Sequence, residues 1–207
     1  LFHPLDRYTC PMSLLFRDST GPKLAPGGIV LCVGAFDGMH VGHRALLARV
    51  HELAAGLGVL PVAISFEPIP REFFARATPV PRLASAREKI VQIAQAGIRR
   101  LLLLRFDEAL AAMPAETFIE EVLIGRADAR EIWIGADFRF GHARRGDVAL
   151  LRAAGARRGF AVEVMPDVEA GGERVSSSAI RAHLAAGEFD AAARLLGRRF
   201  AIGGHVV

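Results

Sequence analysis

Apolar residues recur along the chain in two rhythms. Short, mostly apolar runs at Ile29–Val33, Leu60–Phe66, Leu101–Leu104, Glu131–Ile134 and Phe160–Met165 read as strands covered on both faces. Between them the spacing turns helical. Val41, Leu46, Leu47, Val50, Leu53 and Ala54 share one face of a helix from about Val41 to Ala55, with Gly56 as its stop. Ser85 and Glu88 have the S-x-x-E spacing of a capping box, opening a helix that runs to about Ala96 before Gly97. Pro114 suits the start of a helix reaching Leu123. Asp147–Arg158 reads as a helix closed by Gly159, and a final pair, about Ala179–Ala185 and Phe189–Leu196, hinges at Gly187. Pro68, Pro70, Pro79 and Pro81 mark a loop region. Alternating strands and helices predict an α/β fold: a doubly wound, Rossmann-like parallel sheet of about five strands.

Composition narrows the setting. With 207 residues, 52% hydrophobic and 23% charged, the chain has material for one full domain and a short second piece. Cys10 and Cys32 cannot build a disulfide framework, which suits a reducing compartment. The most apolar long stretch, Leu53 to Phe66, is broken by Gly56, Gly58 and Pro61 and is too short for a bilayer. No charged start followed by an apolar stretch opens the chain. The expectation is a cytoplasmic protein without a membrane partner, a monomer or weak homo-oligomer. A net charge of +4 raises the question of nucleic acid. The basic residues come as scattered pairs such as Arg99-Arg100 and Arg157-Arg158, without the clustered footprint a phosphate backbone requires. No nucleic-acid partner is expected. "MSLLFRD" from Met12 reads as a natural start, leaving residues 1–11 as an extension without structural purpose.

In such a sheet, ligands sit beyond the carboxyl ends of the strands. The first strand-to-helix turn is "GAFDGMHVGH", Gly34 to His43. It combines glycines, Asp37 and two histidines three apart at a helix start, where free N–H groups favour an anion. Gly38 and Gly42 would let a ligand approach the backbone. Three readings compete: turn glycines with capping histidines, a metal site of Asp37, His40 and His43, and a phosphate site. Zinc pairs on helices more often use i, i+4 spacing, and no cysteine cluster helps, so phosphate ranks first. The turn is neither a P-loop, which needs a lysine after its glycines, nor G-x-G-x-x-G. Without that lysine, positive charge must come from histidine, arginine, helix dipoles and a metal ion. "SSSAIR", Ser176 to Arg181, supplies hydroxyls and a guanidinium at a second helix start.

These residues carry a resemblance. H-x-G-H after the first strand, with a late S-S-[ST]-x-x-R helix, resembles the nucleotidylyltransferase superfamily. "GAFDGMHVGH", "IGADFRFG" (Ile134–Gly141), "VSSSAIR" and "LLGRRF" (Leu195–Phe200) together resemble the adenylyltransferase module of bacterial bifunctional riboflavin kinase/FAD synthetases. The likeness runs from about Leu14 to Val207. Two positions depart from the family pattern: Ile69 stands where F-x-P-H-P has histidine, and Ser178 where threonine is usual. The resemblance implies adenylyl transfer from ATP to FMN, giving FAD and pyrophosphate, with Mg²⁺ bound through phosphates and no metal-ligand set in the chain. It implies catalytic roles for His40, His43, Asp137 and Arg181. ATP phosphates would meet Gly34, Phe36, Asp37, Gly38, His40, His43, Ser177, Ser178 and Arg181, and the flavin would meet Phe66, Phe138 and Phe140. It also implies a domain over 12–187, a helical linker over 188–200, and the first strand of a truncated, β-rich riboflavin kinase domain over 201–207. Kinase activity is accordingly expected only of a longer chain. Another nucleotidylyltransferase of this fold and a non-catalytic flavin- or nucleotide-binding module are the rival readings.

Overall fold

The computed structural model describes residues 14–25, 27–75 and 79–203. Its centre is a six-stranded, wholly parallel sheet: β1 (Leu14–Phe16), β2 (Ile29–Val33), β3 (Leu60–Glu67), β4 (Arg100–Arg105), β5 (Ala129–Gly135) and β6 (Ala161–Met165), in the order β1-β4-β3-β2-β5-β6. Every residue of β2 is buried, because strands flank it on both edges and helices on both faces. Its side chains alternate between two cores. Ile29, Leu31 and Val33 face the helical segment 115–126 and α6 (Val148–Arg158). Val30 and Cys32 face α1 (Val41–Leu57), with Ile93 of α3 (Ala86–Gln95) in the same cluster. At roughly 1.5–3 kcal/mol per buried aliphatic side chain, these five positions hold the strand firmly in register.

The remaining elements are short helices and a hairpin. α2 (Pro70–Phe74) follows β3, α4 (Glu108–Ala112) follows β4, and α5 (Ala115–Thr117) runs into a π-helical stretch, Phe118–Arg126. β7 (Glu169–Ala170) and β8 (Glu173–Arg174) pair antiparallel ahead of α7 (Ser177–Ala186) and α8 (Phe189–Leu196). α7 and α8 close a third apolar cluster with Leu83 and Val175.

The predicted strands and main helices are all present, with shifted ends. α1 continues past Gly56 and stops at Gly58, which takes the left-handed conformation (φ 66°) and donates to the carbonyls of Ala54 and Ala55. The capping box of Ser85 and Glu88 forms with both bonds in place. β1 adds a sixth, edge strand, and α2 lies within the proline-marked segment read as loop. The expected extension 1–11 lies outside the described residues. So do the last four residues of 201–207, of which Ala201–Gly203 carry no strand pairing. No helix among the described residues is long and apolar enough to cross a membrane.

Candidate active site

From β2 the chain progresses outward through β3 and β4, then returns to β5 on the other side of β2. That reversal opens a crevice beyond the carboxyl ends of β2 and β5, the usual ligand position in doubly wound sheets. A cavity of about 240 Å³ lies there, lined by Gly34, His40, Gly42 and His43 from the first turn and Asp137 and Phe138 from the turn after β5.

His40 is the N-cap of α1, and its Nδ1 accepts the His43 backbone N–H at 3.2 Å. A ring nitrogen in that role carries no proton, so neutral His40 presents Nε2–H as a donor. The two imidazoles stack at 3.6 Å between centroids, and the Phe36 ring meets His43 edge-on at 5.2 Å. Burial, reinforced by Arg44, pushes His40 down to about 4. Burial, then His40, Arg44 and Lys89, holds His43 well below the ordinary histidine range. Near neutral pH both rings are therefore uncharged, and they offer hydrogen bonds in place of the positive charge expected of them. His43 Nδ1 is buried without a hydrogen-bond partner among the described residues.

Two of the turn's glycines are required by packing within the protein. Gly38 has φ +81°, and a Cβ there would meet Leu83 Cβ at 2.9 Å. A Cβ on Gly42 would press on His40 Nδ1 at 3.3 Å, so this glycine leaves room for the imidazole stack. Phe36 is wholly buried and lines neither this cavity nor the larger one beside it, so it does not face a ligand as expected.

Asp37 is buried and committed internally. Its Oδ1 accepts from the Leu83 and Ala84 backbones at 3.0 and 3.2 Å, and its Oδ2 is paired with Arg181. Ser177 Oγ donates to the Asp37 carbonyl at 2.9 Å. Asp37 thus ties the turn before α1 to α7. The three serines divide their work: Ser176 caps α7 through the Ala179 N–H, Ser177 reaches Asp37, and Ser178 accepts from Arg71 at 3.0 Å. Arg181 also donates to the Pro81 and Ser177 carbonyls. Asp137, with 78% of its side chain exposed, is held at 2.5 Å by Arg174, which also pairs with Asp167 at 3.0 Å.

A second cavity, about 870 Å³, adjoins the first through a shared wall, Phe138. Phe66, Phe138 and Phe140 all line it, although Phe66 and Phe140 also belong to the core. Phe74, Phe106, Leu110 and Arg71 line it too. Phe106 directly follows β4, and that position at a strand's carboxyl end is a signal open to sequence reading. Lys89 gives no such signal. It lies 2% exposed behind the turn, donating to the Phe66 carbonyl at 2.7 Å and the Ala35 carbonyl at 3.4 Å.

A model of the FAD synthetase family matches residues 23–179. The chain belongs to the FAD synthetase family. Its relatives include proteins named bifunctional riboflavin kinase/FMN adenylyltransferase. The one from Pseudomonas fluorescens is 44% identical over 180 residues, 87% of this chain and 58% of the relative. Those from Escherichia coli (strain K12) and Haemophilus influenzae are 41% and 36% identical over the same shares. The chain thus spans 58% of the length of these relatives. A crystal structure of a macrolide-efflux protein from Streptococcus pneumoniae aligns with a TM-score of 0.73 at 23% identity, covering 91% of this chain and 71% of that one. That likeness concerns the fold alone.

Proposed function

We propose that this chain is an FMN adenylyltransferase, joining FMN to the adenylyl group of ATP to give FAD and pyrophosphate. The observation that carries the reading is the pairing of two adjoining cavities across Phe138: a histidine-lined crevice at the start of α1, and a large aromatic slot. A triphosphate suits the first. The second matches a flat, apolar ring system.

An FMN phosphate oxygen would attack the ATP α-phosphorus in line, forming a P–O–P bond as the bond to pyrophosphate breaks. The attacking phosphate is already anionic, so no base is required; alignment and charge stabilisation supply the rate. His40 and His43 would donate to the α-phosphate as charge develops. Ser177 and Ser178 at the start of α7 would hold the β- and γ-phosphates, and Arg181, engaged with Asp37, would position that helix start. Magnesium, bound mainly by phosphate oxygens, would neutralise part of their charge. Asp137 fits as its protein-side oxygen donor, because its carboxylate is exposed at the crevice whereas Asp37 is engaged within the protein.

Incubation with FMN, ATP and Mg²⁺ should yield FAD and pyrophosphate by chromatography. His43→Ala should lower kcat by roughly two to three orders of magnitude, as for loss of one donor to a developing charge. Adenylylation of another acceptor with FMN untouched would point to a different nucleotidylyltransferase. FMN binding without turnover would point to a binding module.

A further inference from the structure

We infer that Arg71 grips the phosphate of the flavin substrate and so sets the preference for FMN over riboflavin; this rests on the reading above. FMN differs from riboflavin only in its phosphate. With the ring in the aromatic slot, that phosphate must lie where the slot meets the phosphate-binding helix. Arg71 occupies both surroundings: it lines the slot, and its Nη1 donates to Ser178 Oγ at 3.0 Å on the first turn of α7.

Comparison with the other cations favours Arg71. Arg181 directs its donors at the Pro81 and Ser177 carbonyls and at Asp37. Arg139, also on the slot wall, is paired with Asp147 at 3.0 Å. His142 and Arg144 also line the slot, but from the 3-10 turn that packs on α4, and among the described residues neither bonds to α7. Arg71 is exposed, and its partner among the described residues is a neutral hydroxyl, leaving its charge for an anion. Its fork of N–H donors can hold a phosphate bidentately while one donor stays on Ser178. Burial and the nearby Arg71 both disfavour the charge of Arg181, and an anion between the two guanidinium groups relieves that repulsion. Ile69, two residues earlier, is buried and apolar, so Arg71 is the polar side chain this segment offers the site.

Binding of FMN and of riboflavin to the 207-residue chain would be measured separately by quenching of flavin fluorescence. Arg71→Ala should weaken FMN roughly ten- to a hundredfold, the range for a charge-assisted contact, and leave riboflavin within about twofold. Arg71→Lys should recover part of the loss. In turnover, KM for FMN should rise while KM for ATP stays put. Riboflavin binding also reports whether the variant has folded. With a wild type that makes FAD, equal weakening of both flavins by Arg71→Ala, or no weakening of either, would overturn the inference alone. A wild type that binds neither flavin would remove the underlying reading as well.

Discussion

The imidazole stack converts burial into pH dependence. His40 binds its proton near pH 6.5 when unfolded and near 4 when folded. Between those values the unfolded chain holds more protons, so stability falls as pH falls from about 6.5 to about 4. Each tenfold change in proton affinity is worth roughly 1.4 kcal/mol, so the loss from His40 is on the order of 3 kcal/mol. His43 adds to it in the same direction. Urea unfolding midpoints across this window should show the decline. His40→Asn keeps a side-chain acceptor at the N-cap and removes the titrating group, so its profile should be flatter. A variant with an undiminished slope would place the pH dependence elsewhere. In the catalytic reading the same burial has a use: an uncharged imidazole costs less to bury, and an arriving polyanion restores the tendency to take up a proton.

Between elements, the decisive link is the Asp37 carboxylate, which joins the turn before α1 to the backbone ahead of α3 and to Arg181 of α7. Asp37→Asn retains an acceptor for the two backbone N–H groups but removes the charge facing Arg181. The expected loss is about 2–4 kcal/mol of stability, since the largely covered Arg181 guanidinium is left without its buried counter-charge. A double-mutant cycle with Arg181→Met should give a coupling above about 1 kcal/mol; additive losses would show that the two groups act independently. How far such links are legible in sequence varies with their range. The capping box at Ser85 and Glu88 is local, and the sequence pattern predicts it fully. The apolar runs of β2 to β6 are as plain, because burial on both faces leaves an unbroken signature. β1 escapes because three residues hold too little pattern, and α2 because its prolines equally signal a loop. The turn "GAFDGMHVGH" reads as a candidate phosphate site, but it does not show that Asp37 looks inward or that burial keeps its histidines neutral. Those facts depend on Leu83, Ala84 and Arg181, which lie 46 to 144 residues away in sequence.

At the scale of the whole molecule, one buried lysine bonds the backbone beside both cavities. Lys89 Nζ bonds the Ala35 carbonyl in the phosphate turn and the Phe66 carbonyl on the wall of the aromatic slot. It also lies 3.2 Å from Glu67 Oε2, an ion pair by distance without hydrogen-bond alignment, and Glu67 pairs in turn with Arg82 at 2.5 Å. Burial draws the lysine's pKa downward while Glu67 draws it up, with a net lowering. The carboxyl ends of β2 and β3 are thus fixed to each other by a cation from α3, and a displacement of one should be felt in the other. Lys89→Met keeps the length and apolar stem but strands two carbonyls and a carboxylate oxygen. It should cost about 2–4 kcal/mol in urea unfolding. Its kinetic signature distinguishes it from Arg71→Ala: KM for ATP and KM for FMN should rise together, because the phosphate turn and the slot wall lose a common anchor. A rise confined to one substrate would show that Lys89 supports a single cavity and that the two sites are positioned independently.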